Sequence, residues 1–135
     1  MQSSSQRFST DVTQAAYENL ENFVTSNPGV VLAVLTSGDG FEITAYPQHR
    51  QLAPRIAAMS SSMQALAEAM SREAGLANTR SLIVESDAGT ILVLGLADAT
   101  VRVSLAVVAS GDATLGQLLW ATRNCGTLLA RSLQL

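Results

Sequence analysis

The side chains that most often carry out chemistry are scarce in this chain, and they do not cluster. The chain has one histidine, His49, and one cysteine, Cys125. A zinc site needs about four ligands, and a catalytic serine needs a neighbouring base such as histidine. His49 lies in the polar loop Pro47–Arg50 and Cys125 lies on an apolar helical face, so we expect a solvated histidine and a core cysteine. We therefore predict no catalytic residue, no metal site and no cofactor.

Phosphate-binding motifs are also missing from the sequence. All eight basic residues are arginines, so the chain lacks the lysine of a P-loop and any lysine for Schiff-base chemistry. The stretch Gly38–Gly40 is no dinucleotide fingerprint, because Ile43 stands where the third glycine belongs and a strand follows. Arg50, Arg55 and Arg72 are candidates for an arginine finger inserted into another protein's nucleotide site. Surface arginines far more often serve solubility. An enzyme is the least favoured class, because no constellation of residues supports catalysis.

The composition favours a protein that binds other proteins. Charged residues make up 14% of the chain, against about 25% in a typical soluble domain. A weakly charged surface is easier to desolvate when a partner docks. The net charge is −3 and the sequence shows no basic patch, so nucleic acid is disfavoured as a partner.

The length and the apolar runs predict a single cytoplasmic domain. The chain has 135 residues, which is a usual size for one domain. The longest apolar runs, Val30–Leu35 and Ile91–Ala97, are shorter than the roughly 20 residues that cross a bilayer, so no membrane insertion is expected. Residues Met1–Arg7 lack the apolar core of a secretory signal. We predict a disordered lead over residues 1–9 and one domain over residues 10–135.

Apolar periodicity and turn residues predict eight elements in the order α-β-β-α-β-β-β-α. They are a helix capped by Thr10 or Asp11 and ended by Asn27–Gly29, strands Val30–Thr36 and Phe41–Tyr46, a helix from about Leu52 to Ala74, strands Ser81–Glu85, Thr90–Leu96 and Val101–Ser110, and a helix that begins near Gly111–Thr114. The turns Asp87–Gly89 and Asp98–Thr100 are so short that the last three strands must form an antiparallel meander. The strand Thr90–Leu96 is apolar on both faces, so helices must cover both sides of the sheet. We expect Trp120 to anchor the last helix on it.

The second helix is unusual because the twelve residues Ile56–Ala67 carry no charge. On a helical wheel, a bulky stripe and a small stripe lie roughly a third of a turn apart. The bulky stripe is Ile56, Met59, Met63, Leu66 and Met70. The small stripe is Ala58, Ser62, Ala65 and Ala69. We expect the bulky stripe to pack on the sheet and the small stripe to meet a second molecule, because small residues let two helices approach closely.

The remaining polar residues of this helix are the predicted contacts for a different partner. They are Arg55, Ser61, Gln64, Glu68 and Arg72. The strand Ser81–Glu85 completes the predicted dimer interface, through Ser81, Leu82, Ile83, Val84 and Glu85. This strand opens the meander, has no proline or lysine and is apolar in its middle, so its free edge would invite another strand. The alternative is that the first hairpin covers this edge.

At this point the chain resembles the roadblock / dynein light chain domain family. The element order is the same, and Val31–Ile43 is similar to that family's first hairpin, with Asp39-Gly40 at the turn. The small-residue helix Met59–Met70 and the meander Leu82–Val108 also match in position and character. The resemblance extends over roughly Thr10–Leu133.

This resemblance implies a profilin-like fold, an α+β three-layer α/β/α sandwich around a five-stranded antiparallel sheet. Members of the family form homodimers or heterodimers through the strand and helix that correspond to the predicted interface. Bacterial members often work beside Ras-like small GTPases. The resemblance therefore implies a non-enzymatic homodimeric regulator or scaffold for a small Ras-like GTPase, with itself or a related roadblock chain as its other partner. The alternative is a small-ligand sensor of the PAS or GAF kind, which would need a concave pocket with convergent polar groups.

Overall fold

The computed structural model describes residues 8–96 and 102–133, and it contains the predicted elements in the predicted order. They are α1 (Thr10–Ser26), β1 (Val30–Ser37), β2 (Glu42–Tyr46), α2 (Leu52–Glu73), β3 (Ser81–Ser86), β4 (Gly89–Gly95), β5 (Val103–Ser110) and α3 (Leu115–Ser132). The predicted turn Asp98–Thr100 and residues 1–7 of the predicted lead lie outside the described residues.

Local side-chain chemistry sets the ends of the helices. Ser9 caps α1, because its hydroxyl accepts a hydrogen bond of 3.2 Å from the Val12 amide. The cap therefore lies one residue before the predicted Thr10, since the helix itself begins at Thr10. Gly29 and Gly75 follow α1 and α2 with φ of +98° and +72°. Glycine adopts this left-handed geometry without steric cost, so Gly75 ends α2 directly after the C-cap Ala74. Helix α1 already ends at Ser26, before Asn27 and Pro28.

The five strands form one antiparallel sheet in the order β2-β1-β5-β4-β3. The first hairpin turns at Gly40, whose φ is +89°, and the Ser37 hydroxyl donates a hydrogen bond of 2.6 Å to Asp39 Oδ1 within the turn. The hairpin joins the sheet through β1 and β5, so it lies at the opposite edge from β3. The predicted antiparallel meander is confirmed, with Ile83 opposite Leu92 and Leu92 opposite Val107.

Helices α1 and α3 cover one face of the sheet with a large apolar cluster. Its fully buried members include Leu20, Leu35, Leu92, Leu105 and Leu129. Helix α3 lies very close to β4, since a Cβ on Gly126 would stand 2.8 Å from a methyl carbon of Leu96. This glycine therefore fixes how closely the third helix approaches the sheet.

Helix α2 covers the other face, over β1, β2 and β5. The cluster beneath it is smaller and consists of Leu32, Val34, Ala45, Ala53, Ile56, Ala57, Val93 and Ala106. Leu82 on β3, Ile91 on β4 and Val108 on β5 pack against this cluster but stay only half-buried. The three-layer α/β/α arrangement is as predicted, but the α2 layer leaves the β3 side of the sheet thinly covered.

Candidate interaction surface

Strand β3 is a free edge of the sheet, as predicted. It pairs with β4 along one side, from Ser81 opposite Leu94 to Ser86 opposite Gly89, and no other described strand lies beyond it. The alternative, in which the first hairpin covers this edge, is wrong. Along the strand, Leu82 and Val84 are half-buried, whereas Ile83 is exposed. An edge of this kind presents unpaired backbone groups together with apolar side chains.

Helix α2 meets the sheet through a different set of residues from the one predicted. Its buried residues are Ala53, Ile56, Ala57 and Ser60. The bulky stripe was expected to pack on the sheet, but only Ile56 does so fully. Met59, Leu66 and Met70 are 53%, 67% and 72% exposed. Small side chains at Ala53, Ala57 and Ser60 let the first half of the helix lie close to the strands, and the second half carries its large side chains outward.

The exposed stripes of α2 form an uncharged surface on the same side of the sheet as Leu82 and Val84. The small stripe is fully represented, since Ala58, Ser62, Ala65 and Ala69 are all exposed. The exposed members of the bulky stripe lie beside it. Exposed apolar surface of this kind marks an interaction site. Its use as a dimer contact stays a prediction.

The polar residues of α2 fall into two groups. Arg55 and Arg72 point into solvent. Ser61, Gln64 and Glu68 instead line a groove of about 440 Å³ between the helix and the end of the sheet. The Ser61 hydroxyl donates to the Gly38 carbonyl at 3.3 Å, and Glu68 forms a 2.7 Å ion pair with Arg102.

The five predicted partner contacts thus do not share one exposed face. Two of them, Ser61 and Glu68, already make side-chain contacts within the chain. Their role in partner binding stays a prediction. The groove is open to solvent, and so is a larger cleft of about 760 Å³ beside α1, which Tyr17, Glu42 and His49 line.

His49 and Cys125, the residues considered for chemistry, both occupy positions that serve the fold. His49 is exposed, and its Nδ1 atom accepts a 3.0 Å hydrogen bond from the Leu52 amide, so it helps to cap α2. Cys125 is buried, and this burial raises the pKa of its thiol to about 12. The thiol therefore stays protonated near neutral pH and is a poor nucleophile. Across residues 8–96 and 102–133, no group of three His, Cys, Asp or Glu side chains could hold a metal ion.

Trp120 contradicts its predicted role. Its side chain is 70% exposed and lines an open cleft beside Pro28 and Gly116, so it does not anchor α3 on the sheet. Helix α3 packs instead through Leu118, Cys125 and Leu129. Trp120 lies on the outer face of α3 with Leu128, which is 51% exposed.

Within residues 8–96 and 102–133, no helix combines the length and apolarity that crossing a bilayer requires.

Comparison with known proteins agrees with this architecture. The sequence model of the Roadblock/LC7 domain matches residues 16–112. No curated protein sequence matches the chain significantly.

Solved structures match over nearly the whole chain. A Roadblock/LC7 domain from Streptomyces avermitilis superposes with a TM-score of 0.80 at 22% identity, covering 88% of this chain and 98% of that one. The gliding protein MglB from Thermus thermophilus gives 0.81 at 18% identity, with 94% of each chain covered. An MglB structure with a tetrameric arrangement gives 0.82 at 18% identity, covering 94% of this chain and 93% of that one. At these identities the superpositions establish a shared fold.

Proposed function

We propose, since the chain belongs to the Roadblock/LC7 domain family, that it is a homodimeric, non-enzymatic regulator or scaffold for a small Ras-like GTPase in the bacterial cytoplasm. The family membership and the profilin-like fold predicted from the sequence are confirmed. The dimer and the GTPase partner are the steps that go beyond them.

The observation that supports the dimer most directly is that three incompletely covered features lie next to each other. The open edge of β3, the half-buried Leu82 and Val84, and the exposed stripes of α2 lie on one side of the molecule. A second copy related by a twofold axis would pair β3 with β3 and extend two sheets into one. The same rotation would bring the second α2 beside the first, where the small stripe allows close approach.

Self-association also accounts for the composition of α2. A helix on the surface of a monomer keeps a broad charged face toward water, but Ile56–Ala67 carries no charge. Exposed Met59, Leu66 and Met70 would lose their contact with water in the dimer, which is favourable by about 25 cal/mol for each Å² of apolar surface buried. The tetrameric arrangement of the MglB structure shows that self-association occurs among proteins of this fold.

The GTPase partner rests on the resemblance to bacterial roadblock proteins, and the structure offers it a surface. Arg55 and Arg72 are exposed at the two ends of α2, on the helix that the dimer would leave partly open. Guanidinium groups suit contacts with carboxylates and phosphates. We propose these two arginines as partner contacts, together with the groove that Ser61, Gln64 and Glu68 line.

The dimer is tested by sedimentation equilibrium or light scattering at tens of micromolar. We expect a dimer for the wild type and a monomer, or a much weaker dimer, for Ala65→Arg, because an arginine at the small stripe separates the helices and buries charge. Asn22→Arg, at an exposed position of α1, is the matched control and should stay dimeric. A monomeric wild type would remove the basis of the proposal.

The GTPase partner is tested by pull-down with the Ras-like GTPases of the same genome, each loaded with GDP or with a GTP analogue. We expect one of them to bind, with a preference for one nucleotide state. The double variant Arg55→Glu/Arg72→Glu should lose this binding and keep the dimer. If no GTPase binds in either state, the scaffold role would need a different partner.

A further inference from the structure

A second groove, of about 670 Å³, lies on the α3 side of the sheet and is bordered by arginines. Its floor consists of Leu94, Leu96 and Gly126, between the end of β4 and the second half of α3. Its rim carries the three arginines Arg80, Arg123 and Arg131. No aspartate or glutamate is among the described residues that line it.

Gathering these arginines costs electrostatic energy within one chain, because like charges repel. The whole chain has eight basic residues and a net charge of −3, yet three of the eight meet at one groove. Among the residues that the structure describes, none of the three has a carboxylate within ion-pair distance. The three guanidinium groups on the rim suit an anionic occupant.

Strand β3 carries a matching charge pattern along its length. Arg80 precedes its first residue, while Glu85 and Asp87 stand at its far end, and both acidic residues are exposed. Glu85 pairs with Thr90, and Ile83 pairs with Leu92, whose side chain belongs to the core under α1 and α3. Because residues two apart in a strand point to the same face, Glu85 lies on the α3 side, as the arginine groove does.

A twofold axis through the middle of β3 brings these opposite charges together. When two copies of β3 pair antiparallel and their α3 sides face the same way, odd-numbered residues of one copy lie opposite odd-numbered residues of the other. If Leu82, Ile83 or Val84 lies on the axis, then Glu85 or Asp87 of one copy falls opposite residues 79–81 of the other. This is the end of the strand at which Arg80, Arg123 and Arg131 form the groove.

We propose that the arginine groove receives the acidic end of β3 from a second copy of this chain. The carboxylates of Glu85 and Asp87 meet the guanidinium groups, twice in each dimer, and select the antiparallel register. A parallel arrangement would place like charges against each other and is rejected. This inference rests on the β3 dimer of the proposed function and adds the residues that make the edge specific for itself.

A charge-exchange experiment tests the pairing, with the oligomeric state measured by sedimentation. The first variant is Glu85→Arg/Asp87→Arg, and the second is Arg80→Glu/Arg123→Glu. Each variant alone places like charges at both ends of the interface, and we expect its dissociation constant to rise by about 100-fold, since like-charge juxtaposition is costly. An equimolar mixture restores opposite charges at both contacts, so the two variants should form a heterodimer.

The outcomes separate the inference from the proposed dimer. A mixture that stays monomeric, or variants that dimerise as well as the wild type, would overturn the charge pairing and leave the β3 dimer standing. A wild type that is monomeric would overturn both.

Cysteine cross-linking provides a second measurement that tolerates poor folding of the charge variants. On mild oxidation, one of three mixtures should give a disulfide-linked heterodimer. The pair is Thr79→Cys with Glu85→Cys if Leu82 lies on the axis, Ser81→Cys with Glu85→Cys if Ile83 does, and Ser81→Cys with Asp87→Cys if Val84 does. Absence of all three cross-links in a dimeric sample would overturn the register. The native Cys125 does not interfere, because it is buried and protonated.

Discussion

The two faces of the sheet differ in how completely the chain covers them. On the α1 and α3 face, Leu35, Leu92 and Leu105 are fully buried beneath two helices. On the α2 face, one helix packs closely through only its first half, and Leu82 on β3 and Ile91 on β4 stay half-buried. The α1 and α3 face is completely covered within the protomer, and we call it the finished core. The α2 face exposes apolar side chains that another molecule could cover.

This difference separates residues that fold the protomer from residues available for assembly. A fully buried side chain stabilises each protomer regardless of concentration. An exposed apolar side chain on α2 can stabilise only a complex, so its effect depends on concentration through mass action. Substitutions on the two faces should therefore be told apart by which quantity they change.

The largest expected effect belongs to the finished core. Leu129→Ala should lower the free energy of unfolding by about 2–5 kcal/mol, because it leaves a cavity beneath α3, with Leu129 fully buried. Leu66→Ala, at a 67% exposed position, should change protomer stability by less than about 0.5 kcal/mol and weaken the dimer. Urea denaturation at a protein concentration well below the dissociation constant of the dimer measures the first quantity, and sedimentation measures the second. Equal effects on protomer stability would contradict the division between the faces.

Labelling of Cys125 gives an independent reading of the same core. Burial raises the pKa of this thiol to about 12, so we expect no reaction with a thiol reagent in the native protein near neutral pH. Leu129→Ala should speed the labelling by allowing more frequent opening, and Leu66→Ala should leave its rate unchanged. Fast labelling of the native wild type would show that the α3 face opens easily.

A smaller and opposite effect is expected at a polar residue within the finished core. The Thr122 hydroxyl is buried and has no hydrogen-bond partner among the described residues. Since an unsatisfied buried hydroxyl is costly, Thr122→Val should raise the free energy of unfolding by about 1 kcal/mol. Thr122→Ser is the control, because it keeps the hydroxyl and removes a methyl group, and it should destabilise. A loss of stability in the valine variant would mean that the hydroxyl is satisfied in solution.

The next effect concerns the start of α2, the less firmly packed helix. His49→Ala removes the acceptor for the Leu52 amide and should cost about 0.5–1 kcal/mol, in the range of helix caps. Hydrogen exchange should show faster opening of the first turn of α2 and unchanged protection in α3. His49→Asn can accept the same bond and serves as the control.

The smallest effect is a pH dependence at the rim of the α1 face. Burial beside α1 raises the pKa of Glu42 above its ordinary value of 4.5. The folded state therefore binds the proton more tightly, and stability is lost as pH rises from 4.5 through the folded pKa. Glu42→Gln should remove this loss, so thermal melts of variant and wild type should differ more at pH 7 than at pH 4. A constant difference across that range would contradict the assigned burial.

Short-range chemistry explains why the sequence predicted the elements well. Glycines at 29, 40 and 75 mark sharp turns whatever surrounds them, and apolar alternation identifies strands without knowledge of their neighbours. The edge position of β3 was one of two alternatives, and it needed the sheet order to decide. The family resemblance depended on the same element order.

The orientation of α2 could not be predicted in the same way. Its wheel carries apolar residues on more than one side, so periodicity alone does not show which side faces the sheet. The small residues Ala53, Ala57 and Ser60 were the available signal, because close packing on strands favours short side chains. The arginine groove could not be predicted from the sequence, because Arg80, Arg123 and Arg131 line one groove only after α3 has packed across β4.

The exposed position of Trp120, the only tryptophan, has a consequence for spectroscopy. An indole in contact with water already fluoresces at long wavelength in the native state, so its emission should change little when the core unfolds. A molecule that docks on the outer face of α3 would shift that emission to the blue. The emission wavelength of Trp120 should therefore report unfolding poorly and should respond strongly to a ligand in the cleft beside Pro28.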